Sequence, residues 1–284
     1  MTMSQAPILV LGARGKTGRR VVARLRELGV PVRAASRSTG TPFEYGDPAT
    51  WGPALDGVQA VYVVPITESV DGDEVAAFVR RAAEEGVQRI VLLSARGVGG
   101  KAHPTQEPTE TVVRDFVPQW TILRAAWFAQ NFTEDVFLEP VRAGNLALPS
   151  GEGREAFIDV ADIADVAVAA LTSGAHTGRV YELTGSEALS FRTIASLISE
   201  ATGREIAYTP VDRGTYLDTL VQQGFPDEAA QAVTNLMESI AHGVGDRVTD
   251  DVQRVLGRRP RPFADYVKEA AASGAWTHDG VTLT

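Results

Sequence analysis

The residues best suited to chemistry lie near the start of the chain, in Gly12-Ala13-Arg14-Gly15-Lys16-Thr17-Gly18. An apolar run, Pro7-Ile8-Leu9-Val10-Leu11, comes directly before them, and a helical pattern from Arg19 to Leu28 follows. Strand, glycine-rich turn and helix together present backbone N–H groups and a helix N-terminus, an arrangement suited to a dinucleotide pyrophosphate. Gly15-Lys16-Thr17 also invites comparison with a P-loop. That motif needs another glycine five positions before Gly15, and the chain has Val10 there. The plain alternative is a glycine turn with no ligand. The preceding strand, the following helix and the position at the opening of the domain argue against it.

The second strand indicates which dinucleotide is expected. An NAD site usually carries Asp or Glu there, to bind the ribose 2′-hydroxyl. Between Val32 and Thr41 the chain has no acid, and the strand ends Ser36-Arg37-Ser38. Arg37 suits a 2′-phosphate, with the serines as further donors, and Arg14 in the glycine turn can approach the same group. The expected cofactor is therefore NADP(H). Asp47 is a weaker candidate for the adenine side.

Ligands of open α/β sheets lie outside the carboxyl ends of the strands. Pro65, with Ile66 and Thr67, and Ser94 occupy such ends and are candidate cofactor contacts. His103, in the glycine-rich loop after Ser94, is a candidate proton donor because histidine titrates near neutrality; an ordinary loop histidine is the competing reading. Trp127, Phe128 and Asn131 follow another strand and offer apolar walls with one amide, fitted to a flat acceptor. The spacing of Phe128 and Phe132 suits core packing equally well. Tyr216, Phe225 and Trp276 are further pocket candidates without a spacing argument, and Asp159 and Asp162 read as structural. No His/Asp/Glu cluster has metal-ligand spacing, and with no cysteine there is no thiolate site.

Strand-like runs over residues 8–11, 31–36, 43–45, 59–64, 89–94, 120–123 and 180–183 alternate with helical patterns. The expected fold is α/β: a Rossmann-like, doubly wound parallel sheet with a smaller mixed C-terminal region. Residues 1–185 are assigned to the dinucleotide-binding domain, with 135–155 contributing to the substrate side, and 186–284 to a substrate-covering region. A length of 284 residues and 44% hydrophobic content suit a globular protein of this plan. The net charge of −9 argues against a nucleic-acid binder. No apolar run approaches the ~20 residues of a membrane span, and no signal-peptide pattern opens the chain, so the cytoplasm is expected. Only three lysines accompany many arginines, as in GC-rich bacteria.

Three blocks now carry a resemblance. Gly12–Gly18 with Arg37, Trp120-Thr121-Ile122-Leu123-Arg124 with Trp127-Phe128-Ala129-Gln130-Asn131-Phe132, and Phe157-Ile158-Asp159-Val160-Ala161-Asp162-Ile163-Ala164 together resemble the NmrA-like branch of the atypical short-chain dehydrogenases. The likeness runs from about residue 8 to about residue 211 and weakens in the tail. The glycine motif alone is unspecific; the later blocks are much less so. Within the branch the chain is similar to bacterial relatives of festuclavine dehydrogenases and NAD(P)H:quinone oxidoreductases. This resemblance implies hydride transfer from NADPH to a quinone or iminium-type acceptor. The branch also holds regulators that bind the dinucleotide and catalyse nothing.

Ordinary short-chain dehydrogenases use a YxxxK pair as proton donor. By that spacing, Gln106 stands in the tyrosine position and Glu110 in the lysine position. An amide is no acid, and a carboxylate raises a neighbour's pKa. The expectation is an NADPH-dependent oxidoreductase acting on an acceptor that is already electrophilic, of the quinone, iminium or enone type. A non-catalytic NADP(H)-binding, redox-sensing regulator is the alternative; an epimerase, which needs the absent tyrosine, is disfavoured. A small-molecule partner is expected, with monomer and homodimer both open.

Overall fold

The computed structural model describes residues 6–65, 72–97 and 107–277. Its contacts divide the chain into two compact units. Unit 1 comprises Met1–Ala125, Val160–Leu183 and Asp250–Arg259; unit 2 comprises Ala126–Asp159, Thr184–Thr249 and Pro260–Thr284. The sequence suggested one boundary near residue 185. Instead the chain alternates: residues 126–159 supply part of a second aromatic core, and residues 250–259 belong to unit 1 again.

Unit 1 is built on strands β1 (Ile8–Val10), β2 (Val32–Ala34), β3 (Ala60–Val63), β4 (Arg89–Ala95) and β5 (Gln119–Ala125), with a later strand of residues Arg179–Leu183. Its helices are α1 (Gly18–Glu27), α2 (Trp51–Leu55), α3 (Gly72–Glu84), α4 (Glu107–Phe116), a helix at Val160–Thr172 and a short one at Asp251–Leu256. The six strands form one sheet ordered β2-β1-β3-β4-β5 and then Arg179–Leu183. Every pairing is parallel. The central strands β1, β3 and β4 are buried on both faces, which is why they read as continuous apolar runs. Leu9, Val61, Ile90, Leu92 and Ile122 face a core shared with Val75, Phe78, Val79, Val112 and Val113 of α3 and α4. Helices α1 and Val160–Thr172 pack together, and the latter also contacts β3, β4 and β5. The fold is thus the doubly wound, Rossmann-like α/β arrangement expected.

Residues 43–45 correct one expectation: they form no strand, and only a single bridge, Ala35 to Thr41, lies nearby. Phe43 and Tyr45 are buried while Glu44 is exposed, the same alternation a strand produces. Side chains satisfy this backbone instead of a ladder. Trp51 Nε1 donates to the Glu44 carbonyl at 3.0 Å, and Thr50 Oγ1 accepts from the Glu44 N–H at 3.2 Å. The rings close on Phe78 with centroids 5.0 to 5.7 Å apart.

Unit 2 contains α5 (Asn131–Glu134), α6 (Leu138–Ala143), β6 (Asn145–Leu148) and β7 (Arg154–Glu155). With the unit 1 elements counted in chain order, Val160–Thr172 is α7 and Arg179–Leu183 is β8. Unit 2 resumes with β9 (Leu189–Ser190), α8 (Phe191–Thr202), β10 (Ala207–Pro210), α9 (Arg213–Gln222) and α10 (Asp227–Ala241). Asp251–Leu256 is then α11, and α12 is Phe263–Ala272. Two short sheets, β6 with β10 and β7 with β9, tie the helices together. Residues 145–148 form β6, parallel to β10. The core is a cluster of Phe132, Phe137, Phe157, Phe191 and Phe263. Tyr216 and Trp276 also belong to this core. Trp276 Nε1 donates to the Phe132 carbonyl at 2.6 Å. These two candidate pocket residues are therefore packing residues, whereas Phe225 is 38% exposed.

Among the described residues no helix is long and apolar enough to cross a membrane, and no group of His, Asp and Glu could hold a metal ion.

Candidate functional site

The glycine turn sits where β1 ends and α1 begins, at the point where the strand order reverses between β1 and β3. Such a switch point opens a crevice at the carboxyl edge of the sheet. Leu11 N–H bonds the Tyr62 carbonyl at 3.1 Å and Ala13 N–H bonds the Ala35 carbonyl at 3.1 Å. The turn is thereby sewn to both neighbouring strands. Gly15 N–H closes it onto the Gly12 carbonyl at 2.8 Å. Gly12 has φ +60, a conformation that costs L-residues energy. A Cβ on Gly18 would lie 2.2 Å from the Gly12 carbonyl oxygen, so only glycine fits there.

The N-terminus of α1 has no acidic residue in its first turn, and its cap Thr17 makes no side-chain capping bond. It favours an anion through its dipole and N–H groups. Lys16 is half-buried within the same turn, and Ala13 and Thr17 are buried. The residues present thus fit a pyrophosphate: tight glycine backbone, helix N-terminus and cationic surroundings.

On the β2 side, Arg14 Nη1 donates to Ser38 Oγ at 3.0 Å. The glycine turn and the Ser36–Ser38 segment, 24 residues apart, are therefore in direct contact, and Arg37 stands exposed between the two serines. Ser36 N–H bonds Thr39 Oγ1 at 2.9 Å, and Thr39 Oγ1 donates to the Thr41 carbonyl at 2.9 Å. These bonds fold the segment into a compact turn that presents Arg37, with Arg14 of the glycine turn beside it on Ser38. Asp47 caps the 3-10 turn Pro48–Thr50, accepting from Ala49 N–H at 3.1 Å.

On the other side, Pro65 lies just past β3 and Ser94 near the end of β4. Ser94 is buried and donates to Glu110 Oε1 at 2.6 Å. Glu110, on α4, is fully buried. Arg124 grips it with two bonds, Nε to Oε1 at 2.9 Å and Nη2 to Oε2 at 2.7 Å. Arg114 Nη2 adds a third, to Oε2 at 2.8 Å. Burial by itself raises the Glu110 pKa; the bonds from Arg124 and Ser94 and the two guanidinium charges outweigh it, so the net shift is downward. The sequence singled out Glu110 only as a replaced lysine. Its i, i+4 partner Arg114 was readable on the helix; Arg124 was not, because it depends on the β4–β5 register that sets Ser94 opposite Arg124. His103 and Gln106 lie outside the described residues.

A depressed carboxylate pKa means the native state binds fewer protons than the unfolded chain. Glu110 therefore contributes stability above its ordinary pKa of 4.5, lost as pH falls through the lower folded value. Thermal melts between neutral pH and pH ~3 are expected to show a steeper acid loss for the wild type than for Glu110→Gln. Parallel acid limbs would refute this assignment.

In unit 2, two of the sequence blocks meet. Phe128 pairs with Ile158 in an isolated parallel bridge, Ala129 N–H bonds the Ile158 carbonyl at 2.8 Å, and Ile158 N–H bonds the Trp127 carbonyl at 2.9 Å. Gln130 Nε2 donates to Asp159 Oδ1 at 2.9 Å, and Arg261 reaches Asp159 Oδ2 at 3.1 Å. Within unit 1, Asp162 is buried and receives Arg258 Nη1 at 2.7 Å. Both aspartates thus hold structure together. Trp127 and Phe128 are half-buried and Asn131 is 8% exposed. The Trp127 ring stacks on Phe137 with centroids 6.0 Å apart.

This architecture and these blocks have relatives. The chain is 35% identical to the uncharacterized oxidoreductase YesF of Bacillus subtilis, covering 97% of this chain and 98% of the relative. It is 31% identical to the NAD(P)H azoreductase of Xenophilus azovorans, covering 94% and 99%. The crystal structure of the NADPH-dependent quinone oxidoreductase QOR2 of Escherichia coli, complexed with NADPH, superposes with a TM-score of 0.81 at 22% identity, covering 92% and 99%. Residues 4–267 match the NmrA-like family, to which this chain belongs.

Proposed function

We propose that the chain is an NADPH-dependent oxidoreductase that reduces an electrophilic small organic acceptor of the quinone, iminium or enone type. The observation that carries this reading is the Arg14–Ser38 contact beside Arg37, with no acid between Val32 and Thr41. Names of curated relatives support it: an oxidoreductase and an NAD(P)H azoreductase.

When bound, NADPH supplies a hydride equivalent. The chain's own residues supply the rest. Gly12 to Gly18 and the α1 N-terminus hold the pyrophosphate, and Arg14, Arg37 and Ser38 hold the 2′-phosphate. Pro65 and Ser94 flank the other half of the cofactor. Trp127, Phe128 and Asn131 are proposed to touch the acceptor, and His103 is the candidate proton donor. Glu110 is not an acid here: two arginines keep it ionised. Without a tyrosine donor, an acceptor that takes hydride readily is the one such a site can serve, and binding geometry supplies most of the rate enhancement.

Arg37→Ala is expected to raise the Kd for NADPH by about 10- to 100-fold, the worth of one or two charge-assisted hydrogen bonds, while leaving NADH nearly unchanged. Equal losses for both cofactors would disprove the 2′-phosphate assignment. Turnover is tested by NADPH oxidation against a panel of quinones, iminium ions and enones. Tight NADPH binding with no oxidation on any acceptor favours the second reading, a non-catalytic NADP(H)-binding regulator, which the replaced YxxxK pair also permits.

A further inference from the structure

Ser94 and Arg124 are register partners on adjacent strands, so their side chains emerge side by side at the carboxyl edge of the sheet. Glu110 reaches them both from α4. This carboxylate accepts four hydrogen bonds: two from Arg124, one from Arg114 and one from Ser94. An ionised carboxylate can only accept, whereas a serine hydroxyl carries one hydrogen and two acceptor sites. The arginines keep Glu110 ionised, and the 2.6 Å contact therefore commits the Ser94 hydrogen to Glu110. Towards any further partner, Ser94 Oγ is an acceptor alone.

The glycine turn follows β1, and Arg37 lies on the β2 side of it. If the 2′-phosphate end of the dinucleotide is held there, the nicotinamide end belongs to the opposite side of the switch point, the side of β3 and β4. Ser94 is the buried hydroxyl at the end of β4. We propose that Glu110 is a positioning residue: acting through Ser94, it makes that hydroxyl an obligatory acceptor for a donor on the nicotinamide half of NADPH, either a ribose hydroxyl or the carboxamide N–H. Glu110 thus occupies the position of a catalytic lysine with a different task. It orients a bond to the cofactor and passes no proton to the acceptor. This inference rests on the NADP(H) reading above.

The test measures NADPH Kd by nicotinamide fluorescence, alongside thermal melts. Threonine and valine have nearly the same shape, but only threonine keeps the hydroxyl. Ser94→Thr is expected to bind NADPH within about threefold of wild type, and Ser94→Val about tenfold more weakly, the value of one buried hydrogen bond. Glu110→Gln puts an amide that can donate next to Ser94, so it is expected to weaken binding to a similar extent. The double variant Ser94→Val/Glu110→Gln is expected to bind no worse than Ser94→Val alone, because both changes remove one interaction. Additive losses mean that Glu110 acts only as scaffold, and they overturn the proposal. So do equal Kd values for the threonine and valine variants, a comparison that survives if Glu110→Gln fails to fold. Repeating the pair with the 3-acetylpyridine analogue of NADPH separates the two donors: the Thr/Val ratio persists for a ribose hydroxyl and vanishes for the carboxamide. If the wild type does not bind NADPH at all, the cofactor reading and this proposal fall together; wild-type binding with identical variants removes the proposal alone.

Discussion

Gly18→Ala is expected to abolish measurable NADPH binding and to destabilise unit 1 by about 3 kcal/mol or more, the upper range for forcing atoms into a packed site. The added methyl would stand 2.2 Å from the Gly12 carbonyl oxygen, 2.7 Å from its carbon and 3.1 Å from Ala13 Cα. All three are backbone atoms, so no side chain can swing aside. Gly12 is itself held at φ +60 and is bonded to Gly15 N–H, which limits retreat in that direction. The only relief is to push α1 away from the turn. That move misplaces the N–H groups proposed to hold the pyrophosphate and shifts the buried Val21, Val22 and Leu25. Gly52→Ala is the control: it lies in α2 with nothing within 4 Å of the added carbon. It stands in the first turn of α2, directly before Pro53, and is expected to cost no more than about 1 kcal/mol. Denaturant melts and an NADPH titration decide the matter, and a Gly18→Ala chain as stable and as tight-binding as the Gly52→Ala control would contradict the geometry.

The second large effect belongs to unit 2. Phe132→Ala is expected to cost about 3–5 kcal/mol, the range for deleting a buried aromatic side chain. Phe132 is fully buried and lies 4.7 Å from Phe137, 5.3 Å from Phe157, 5.6 Å from Phe263 and 6.1 Å from Phe191, centroid to centroid. These four rings come from a loop, two helices and the stretch before α7, so no single neighbour can collapse into the void. Two partners of the same segment hold the backbone in place: Trp276 on the Phe132 carbonyl and the Tyr266 hydroxyl on Thr133 Oγ1 at 2.9 Å. Phe132→Leu should lose appreciably less, because most of the volume remains. A loss below about 1 kcal/mol for alanine would mean that the site repacks. Trp127→Ala offers the contrast. Its ring is half-buried, so its effect should fall more on acceptor KM than on stability.

Much of unit 1 was legible because its signals are local. An apolar run, seven residues of turn and an amphipathic stretch define β1, the glycine turn and α1 without reference to anything distant. Strands β3 and β4 read as apolar runs because both sheet faces are covered. In unit 2, helix α10 is legible in the same way, because its apolar residues keep the helical period. Residues 43–45 misled for an instructive reason. Burial alternates there as in a strand, but hydrogen bonding decides what is a strand, and the side chains of Thr50 and Trp51 took that bonding over.

The candidate site divides in the same way. Arg37 is proposed from one local absence, the missing acid, and one local presence, the arginine itself. The Glu110 cluster was only half visible, because Ser94, Glu110 and Arg124 converge through strand register and helix placement. Trp276 resembled a pocket residue from its type alone; its bond to the Phe132 carbonyl, 144 residues away, gives it a packing role instead.

The alternation of the chain between units, three segments in each, has a consequence for biosynthesis. The edge strand β8 is translated well before the segment that covers it. Asp251 accepts from the Glu182 N–H at 2.8 Å, and Arg258 binds Asp162 and Asp165. Until those residues leave the ribosome, β8 carries an uncovered edge of the kind that recruits other strands. Residues 184–249 must be synthesised in between, which at ~5–20 residues per second leaves several seconds of exposure. A nascent chain stalled within α10 should therefore be sensitive to protease at β8 and prone to aggregation, although the glycine turn, made first, has long left the ribosome.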